Sequence, residues 1–161
     1  MKREQKTLTN KGFSLVELII VVAIMAVLIG VLAPQYLRYV EKTRLQRDNT
    51  GIADFANVVK IACTEEGVNT GIPAAGAEFK FTAAAGAKPV LGVSGVTALD
   101  DEINLTVHIS DVTLSSNTYS TGTLPTIKAV VDSNGIVTVT CDGWIDAPGG
   151  TPLTGSNAKR F

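Results

Sequence analysis

The chain has 161 residues, with 15 acidic against 14 basic side chains and 45% hydrophobic residues, of which few are aromatic. That near-neutral balance argues against a general nucleic-acid binder, whose mark is a concentrated basic surface. One histidine and two cysteines offer poor material for a metal centre or for histidine-based acid–base chemistry.

The amino-terminal stretch 1–12 is basic, with Lys2, Arg3, Lys6 and Lys11. From Gly12 to Ala33 the chain is apolar except for Glu17, near the start of the run. As a helix, Phe13 to Ala33 would extend about 31 Å, enough for the bilayer hydrocarbon. A carboxylate inside such a span costs roughly 2.5–3.5 kcal/mol on insertion scales, so it needs a partner or a purpose. A secretory signal peptide would have a shorter apolar region and a small-residue cleavage site. An ordinary membrane anchor explains the length and leaves Glu17 unexplained.

The residues Lys11-Gly12-Phe13-Ser14-Leu15-Val16-Glu17, followed by the apolar helix and Pro34, resemble the class III leader junction of type IV pilins and pseudopilins. The resemblance covers roughly residues 1–60. It implies that a prepilin peptidase on the cytoplasmic face cuts between Gly12 and Phe13, then methylates the new amino group of Phe13. Gly12, without a side chain, suits close approach of a protease to the backbone. Glu17 would pair with the amino group of its own Phe13 or, as the family suggests, with that of a neighbouring subunit. Either pairing removes the desolvation cost of two isolated charges in a low-dielectric setting. The plain alternative is a protonated, passive Glu17.

By the same resemblance the partners are other copies of the chain in a helical homopolymer, the peptidase, an assembly ATPase with its membrane platform protein, minor pilins, and membrane lipid before assembly. No cofactor is implied. Lys and Arg flank the span almost equally, with Arg38, Lys42, Arg44 and Arg47 on the far side. The positive-inside rule therefore gives a near tie, and the resemblance alone puts the amino terminus in the cytoplasm and the assembled product outside the cell. Loss of residues 1–12 would move the formal charge from −1 to −4, so a nucleic-acid partner has no support from charge.

Beyond the span, Tyr36, Leu37, Tyr39 and Val40 lead into the charged stretch Glu41–Asp48. Ile52, Ala56, Val59 and Cys63, with Phe55 and Ala62 beside them, then repeat at helical spacing. This predicts a helix from Ser14 to Thr64. Pro34 removes the helical partner of the Gly30 carbonyl, and Gly30 is itself a weak helix former. The pair is either a hinge that unwinds in a filament or a simple kink. Asp48-Asn49-Thr50-Gly51 offers a second stop and restart, although continuity is favoured. Tyr36 and Tyr39 read as packing residues rather than as an electron path.

The remainder reads as a small antiparallel sheet. Ile103, Leu105, Val107 and Ile109 alternate with polar residues, which predicts a half-buried strand. Ile127–Asp132 and Ile136–Cys141 flank Ser133-Asn134-Gly135 as a hairpin. A three-residue loop with Gly135 left-handed pairs Val131 with Val137, Ala129 with Val139 and Ile127 with Cys141, which keeps the apolar pairs on one face. Cys141 then points inward, towards the helix stripe that carries Cys63. On an exported domain the two can bridge, closing a long loop for roughly 4–5 kcal/mol on the chain-entropy model; buried free thiols are the alternative. Residues Gly67–Leu99 read as an irregular connection with short strands at Glu78–Thr82 and Pro89–Val93. The tail from Asp142 reads as loop, with Trp144 capping the core. His108 falls on the polar strand face, and Asp100-Asp101-Glu102 lacks the ligand spacing of a calcium site.

The expected architecture is therefore α+β: a leader at 1–12, a membrane-spanning helix at 13–34, its amphipathic continuation at 35–64, and a sheet-based head at 65–161. The leading functional expectation is a non-enzymatic major pilin, serving adhesion, motility or DNA uptake. A pseudopilin or minor pilin of a secretion or competence system is the second, and a membrane-anchored binding domain that never assembles is the third.

Overall fold

Apolar residues without a helix breaker other than Pro34 make one helix, α1 (Leu15–Ala62), in the computed structural model, which describes residues 12–84, 87–120 and 123–161. The leader up to Lys11 lies outside the described residues. Helix α1 runs unbroken through Pro34 and through Asp48–Gly51, so the favoured continuity holds and Asp48-Asn49-Thr50-Gly51 is neither a stop nor a restart. The chain forms two compact units, one ending at Arg38 and one beginning at Tyr39.

In the first unit the large apolar side chains from Phe13 to Leu32 are all exposed, Val21 least of all at 49%. In the second unit α1 buries Leu45, Asp48, Ile52, Phe55, Ala56, Val59 and Ala62. Their spacing of three and four makes a single stripe along that half of the helix. The charged residues at 41–47 occupy its flanks, and Asp48 is the one acid on the stripe.

Opposite this stripe stands a five-stranded sheet in the order β2-β1-β3-β4-β5, with every pairing antiparallel. The strands are β1 (Ala77–Thr82), β2 (Val90–Leu91), β3 (Thr126–Val131), β4 (Val137–Asp142) and β5 (Lys159–Arg160). Ala77, Phe79 and Phe81 of β1, Ile127 and Ala129 of β3, and Val139 and Cys141 of β4 face inward. They join Ile52, Phe55, Ala56, Val59 and Cys63 in one core. Phe55 and Phe79 meet edge to face with ring centroids 5.2 Å apart, a favoured aromatic geometry. On the outer face Glu78 is bridged by Lys80 at 2.9 Å and by its cross-strand neighbour Lys128 at 3.2 Å.

The central hairpin has the expected register: Val131 opposite Val137, Ala129 opposite Val139, Ile127 opposite Cys141. Gly135 is left-handed at φ 77°, and its amide donates to the Asp132 carbonyl at 3.0 Å. Asp132 adds a lock absent from the sequence reading, since its Oδ1 accepts from the amides of Asn134 and Ile136, both at 2.8 Å. The short strands expected at Glu78–Thr82 and Pro89–Val93 are present as β1 and β2.

The strand expected over Ile103–Ile109 is not. Those residues form the second half of α3 (Thr97–Thr106) and a following 3-10 turn at Ile109–Asp111. Alternation was real in the sequence, but burial follows the helical period: Leu99 and Ile103 are buried four residues apart, and Leu105 is 81% exposed. The Asp100 carboxylate fixes the entry to α3, accepting from the Ser94 amide and hydroxyl and from the Gly95 amide at 2.7–3.1 Å. Two further short helices, α2 (Glu66–Asn69) and α4 (Asn117–Ser120), lie in connections. The tail is not all loop either, because β5 pairs with β4 at the sheet edge. Trp144 is buried and does cap the core, with its indole nitrogen donating to Asp146 and its ring edge-on to Phe161.

Gly135→Ala should cost about 1 kcal/mol, the conformational penalty of a left-handed site with open space around it. Gly76→Ala should cost more, about 2–3 kcal/mol, because a Cβ there would lie 2.7 Å from the Ala129 carbonyl in addition to the φ penalty. Denaturant titration of the two variants measures the difference, and equal losses would contradict the strand geometry around Gly76.

Candidate functional site

At the start of α1 the sequence Ser14-Leu15-Val16-Glu17 has the spacing of a capping box, in which an acid three residues into the helix reaches back to the cap residue. The structure forms that half of the box: the Ser14 amide donates to Glu17 Oε2 at 3.0 Å. Leu18 in turn donates to the Ser14 carbonyl at 3.2 Å. An acidic group here also suits the positive end of the helix dipole. Glu17 is exposed, as are Gly12 and Phe13, and Phe13 reaches 87% exposure. The Gly12–Phe13 bond is thus open to an enzyme, and the carboxylate is held one turn of helix beyond it. The S-x-x-E signal was legible in the sequence and was passed over there in favour of the charge argument.

Helix α1 is long and apolar enough to cross a membrane, with a mean hydropathy of 3.1 over its best 18-residue window. Residues 8–33 match the family model of the prokaryotic N-terminal methylation motif. The chain carries the class III leader of type IV pilins. No curated protein and no solved structure matches it. The motif, which covers the amino-terminal segment alone, supports a type IV pilin-like precursor. It is consistent with processing by prepilin peptidase and with membrane anchoring before assembly. The α+β architecture agrees with this reading.

Gly30 and Pro34 both lie within the continuous helix, and a Cβ at Gly30 would meet open space. Nothing packs there that would require glycine.

The head is fastened to α1 by polar groups that the sequence reading passed over as a charged stretch. Asp48 is buried, and its carboxylate accepts from the Ser115 amide at 2.8 Å, the Ser115 hydroxyl at 2.9 Å and the Ser116 amide at 2.7 Å. One helical stretch earlier, Glu41 Oε1 accepts from the Ser116 hydroxyl at 2.6 Å and from the amide and hydroxyl of Thr118 at 3.0 and 3.1 Å. Asn49 completes the set. Its Nδ2 donates to the Ile145 carbonyl at 2.8 Å, and its Oδ1 accepts from the Tyr119 hydroxyl at 2.6 Å. Tyr119 is buried, which pushes its phenol up to about 12 and keeps it a donor. Each amide left without such an acceptor in the interior would cost about 1–3 kcal/mol. A charged residue at an apolar position of the stripe was the sequence signal for this anchor, since a buried carboxylate requires partners.

Cys63 and Cys141 both lie in the core, as expected from the helix stripe and the hairpin register. Both are free thiols in this structure, the alternative to the bridge that an exported domain would allow. Burial pushes Cys63 up to about 11 and Cys141 to about 12, so both are protonated and inert near neutral pH. His108 is exposed as expected, although it precedes a 3-10 turn instead of lying in a strand. Among the described residues no group of three or more His, Cys, Asp or Glu is placed to hold a metal, and the Asp100 carboxylate is taken up by Ser94 and Gly95.

Burial opposes ionisation of Glu41, but the hydrogen bonds from Ser116 and Thr118 outweigh it and hold the carboxyl below its ordinary 4.5. A group depressed on folding stabilises the native state above its unfolded value, and that contribution is lost as pH falls through the folded one. The head should therefore lose stability as pH drops below about 4.5, and Glu41→Gln should make that loss shallower. Urea melts of both proteins between neutral and strongly acidic pH test this; parallel curves would remove Glu41 from the account. For the cysteines, maleimide at neutral pH should label the folded protein only after denaturant is added. Fast labelling of the folded head would contradict the burial, and no labelling even when unfolded would reveal an oxidised pair.

Proposed function

We propose that this chain is a major pilin: a precursor cut between Gly12 and Phe13, methylated on the Phe13 amino group, and polymerised into an extracellular type IV pilus. The observation that carries the proposal is the pairing of the methylation motif with an apolar helix that its own unit leaves uncovered. Side chains of that kind are stable only in lipid or against other copies. A chain that moves from the membrane to a filament exchanges one cover for the other.

Glu17 gives that exchange its register. In the precursor the carboxylate engages the Ser14 amide; after cleavage the Phe13 amine becomes a cation within its neighbourhood in the sequence. An incoming copy brings the same cation to a neighbour's Glu17, and the pair removes two isolated charges from an apolar core. Gly30 and Pro34 supply the weak turn at which the helix can unwind as copies pack. The peptidase, the assembly ATPase with its platform protein, and minor pilins are the partners this reading requires.

Gly12→Val should leave residues 1–12 on the purified protein, read as intact mass from cells with active peptidase. Glu17→Ala should be cut normally and still lower the yield of sheared filaments at least tenfold, in keeping with the cost of an unpaired buried charge. Wild-type protein that is uncut and monomeric in the membrane would overturn the proposal. Cut protein that is scarce in sheared filaments would assign it instead to a pseudopilin or minor pilin.

A further inference from the structure

A groove of about 880 Å³ in the second unit lies between α1 and the segments that Asp48 and Glu41 hold in place. Arg44, Arg47 and Lys88 line it together with Ala84, Ala87 and Leu114. Arg44 and Arg47 are three residues apart and so share a helix face, where like charges destabilise the helix slightly. The acids that would relieve them in sequence, Glu41 and Asp48, are committed to Ser115, Ser116 and Thr118. The ion pairs among the described residues are those of Glu78, so all three cations of the groove are left without one. The groove therefore has a basic rim over mixed walls, polar at Ser115 and Ser116 and apolar at the alanines and Leu114.

The same chain displays the opposite charge on α3. Asp100 is used internally, but Asp101 and Glu102 make no hydrogen bond or ion pair among the described residues. Leu105, four residues after Asp101 and so on the same helix face, is 81% exposed. A ridge with two carboxylates and a bare leucine suits a basic groove whose walls are in part apolar. Arginine suits this role because its planar fork binds a carboxylate through two hydrogen bonds.

The geometry points to a contact between copies in which the Arg44, Arg47 and Lys88 groove of one copy takes the Asp101, Glu102 and Leu105 ridge of the next. The two patches differ from one another, so the contact is heterologous. Contacts of that type build open helical filaments unless the rotation closes. The inference rests on the filament reading and deepens it, adding an electrostatic contact between heads to the register set by Glu17.

The test is charge reversal with compensation, in cells that display the full-length protein. Arg44→Glu with Arg47→Glu, or Asp101→Lys with Glu102→Lys, should each lower sheared-filament yield about tenfold or more, because like charges facing each other suppress association. All four changes in one chain should restore it. None of these side chains is buried, so cleavage should not change, and the small like-charge penalty of the arginine reversals beside Glu41 and Asp48 should leave the monomer folded, as its thermal melt checks. As a second arm, Arg47→Cys with Asp101→Cys should give ladders of linked subunits when intact filaments meet a short bis-maleimide, and neither single variant should. Normal yield from the single reversals, no restoration by the fourfold variant, or filaments that form without ladders each overturns the contact and leaves the groove to another anion. Absence of filaments from the wild type overturns the filament reading, and this contact with it.

Discussion

Apolar side chains that their own unit leaves in the open govern what this chain can be. From Phe13 to Leu32 every large apolar residue in the helix is about half exposed or more, and burying each fully would be worth about 1.5–3 kcal/mol. That sum cannot be left in water. In the proposed pilin, lipid would supply the cover before assembly and other copies would supply it in a filament. The one carboxylate in the run is tolerable because it sits at the helix start, where it takes the Ser14 amide and faces the favourable end of the dipole. The placement of Glu17 at the helix start, rather than its presence alone, is what makes a carboxylate tolerable in the span.

The second unit solves a different problem, that of fixing a small sheet and several irregular connections to one helix. Apolar packing does most of it through Ile52, Phe55, Ala56 and Val59 against the inner face of the sheet. Packing is non-directional, however, and does not by itself position loops. Glu41, Asp48 and Asn49 supply direction, each accepting or donating to named groups in 115–119 or at Ile145. These polar residues make up the part of the helix that reads, in sequence, as a break. Committing the two acids inward also leaves Arg44 and Arg47 without an ion pair among the described residues. The anchor of the head and the basic groove are thus two results of one arrangement.

How much could be read in advance differed from element to element, for physical reasons. The hairpin was legible to the residue because one face must be buried and only one loop length keeps the apolar pairs together. The apolar helix was legible because length and composition leave few alternatives. The segment at 103–109 was misread because its apolar residues satisfy a period of two as well as they satisfy part of a helix, and local pattern cannot choose between them. What chose was the core: Leu99 and Ile103 fit it together only as a helix, with Asp100 pinning the entry. Strand β5 was missed because a two-residue edge strand leaves no pattern, and its partner lies far away in sequence.

Sequence by itself determined the leader junction, the uncovered helix with its single acid, the α+β class and the register of the central hairpin, since each follows from short-range order or from simple counting of apolar residues. Tertiary structure alone decided that 103–106 is helical, that Asp48 and Asn49 are anchors inside an unbroken helix, and that Arg44, Arg47 and Lys88 converge without an ion pair among the described residues. Those outcomes depend on which distant groups come to meet a side chain, and the free energy of a buried charge or amide is set by that partner rather than by its neighbours along the chain.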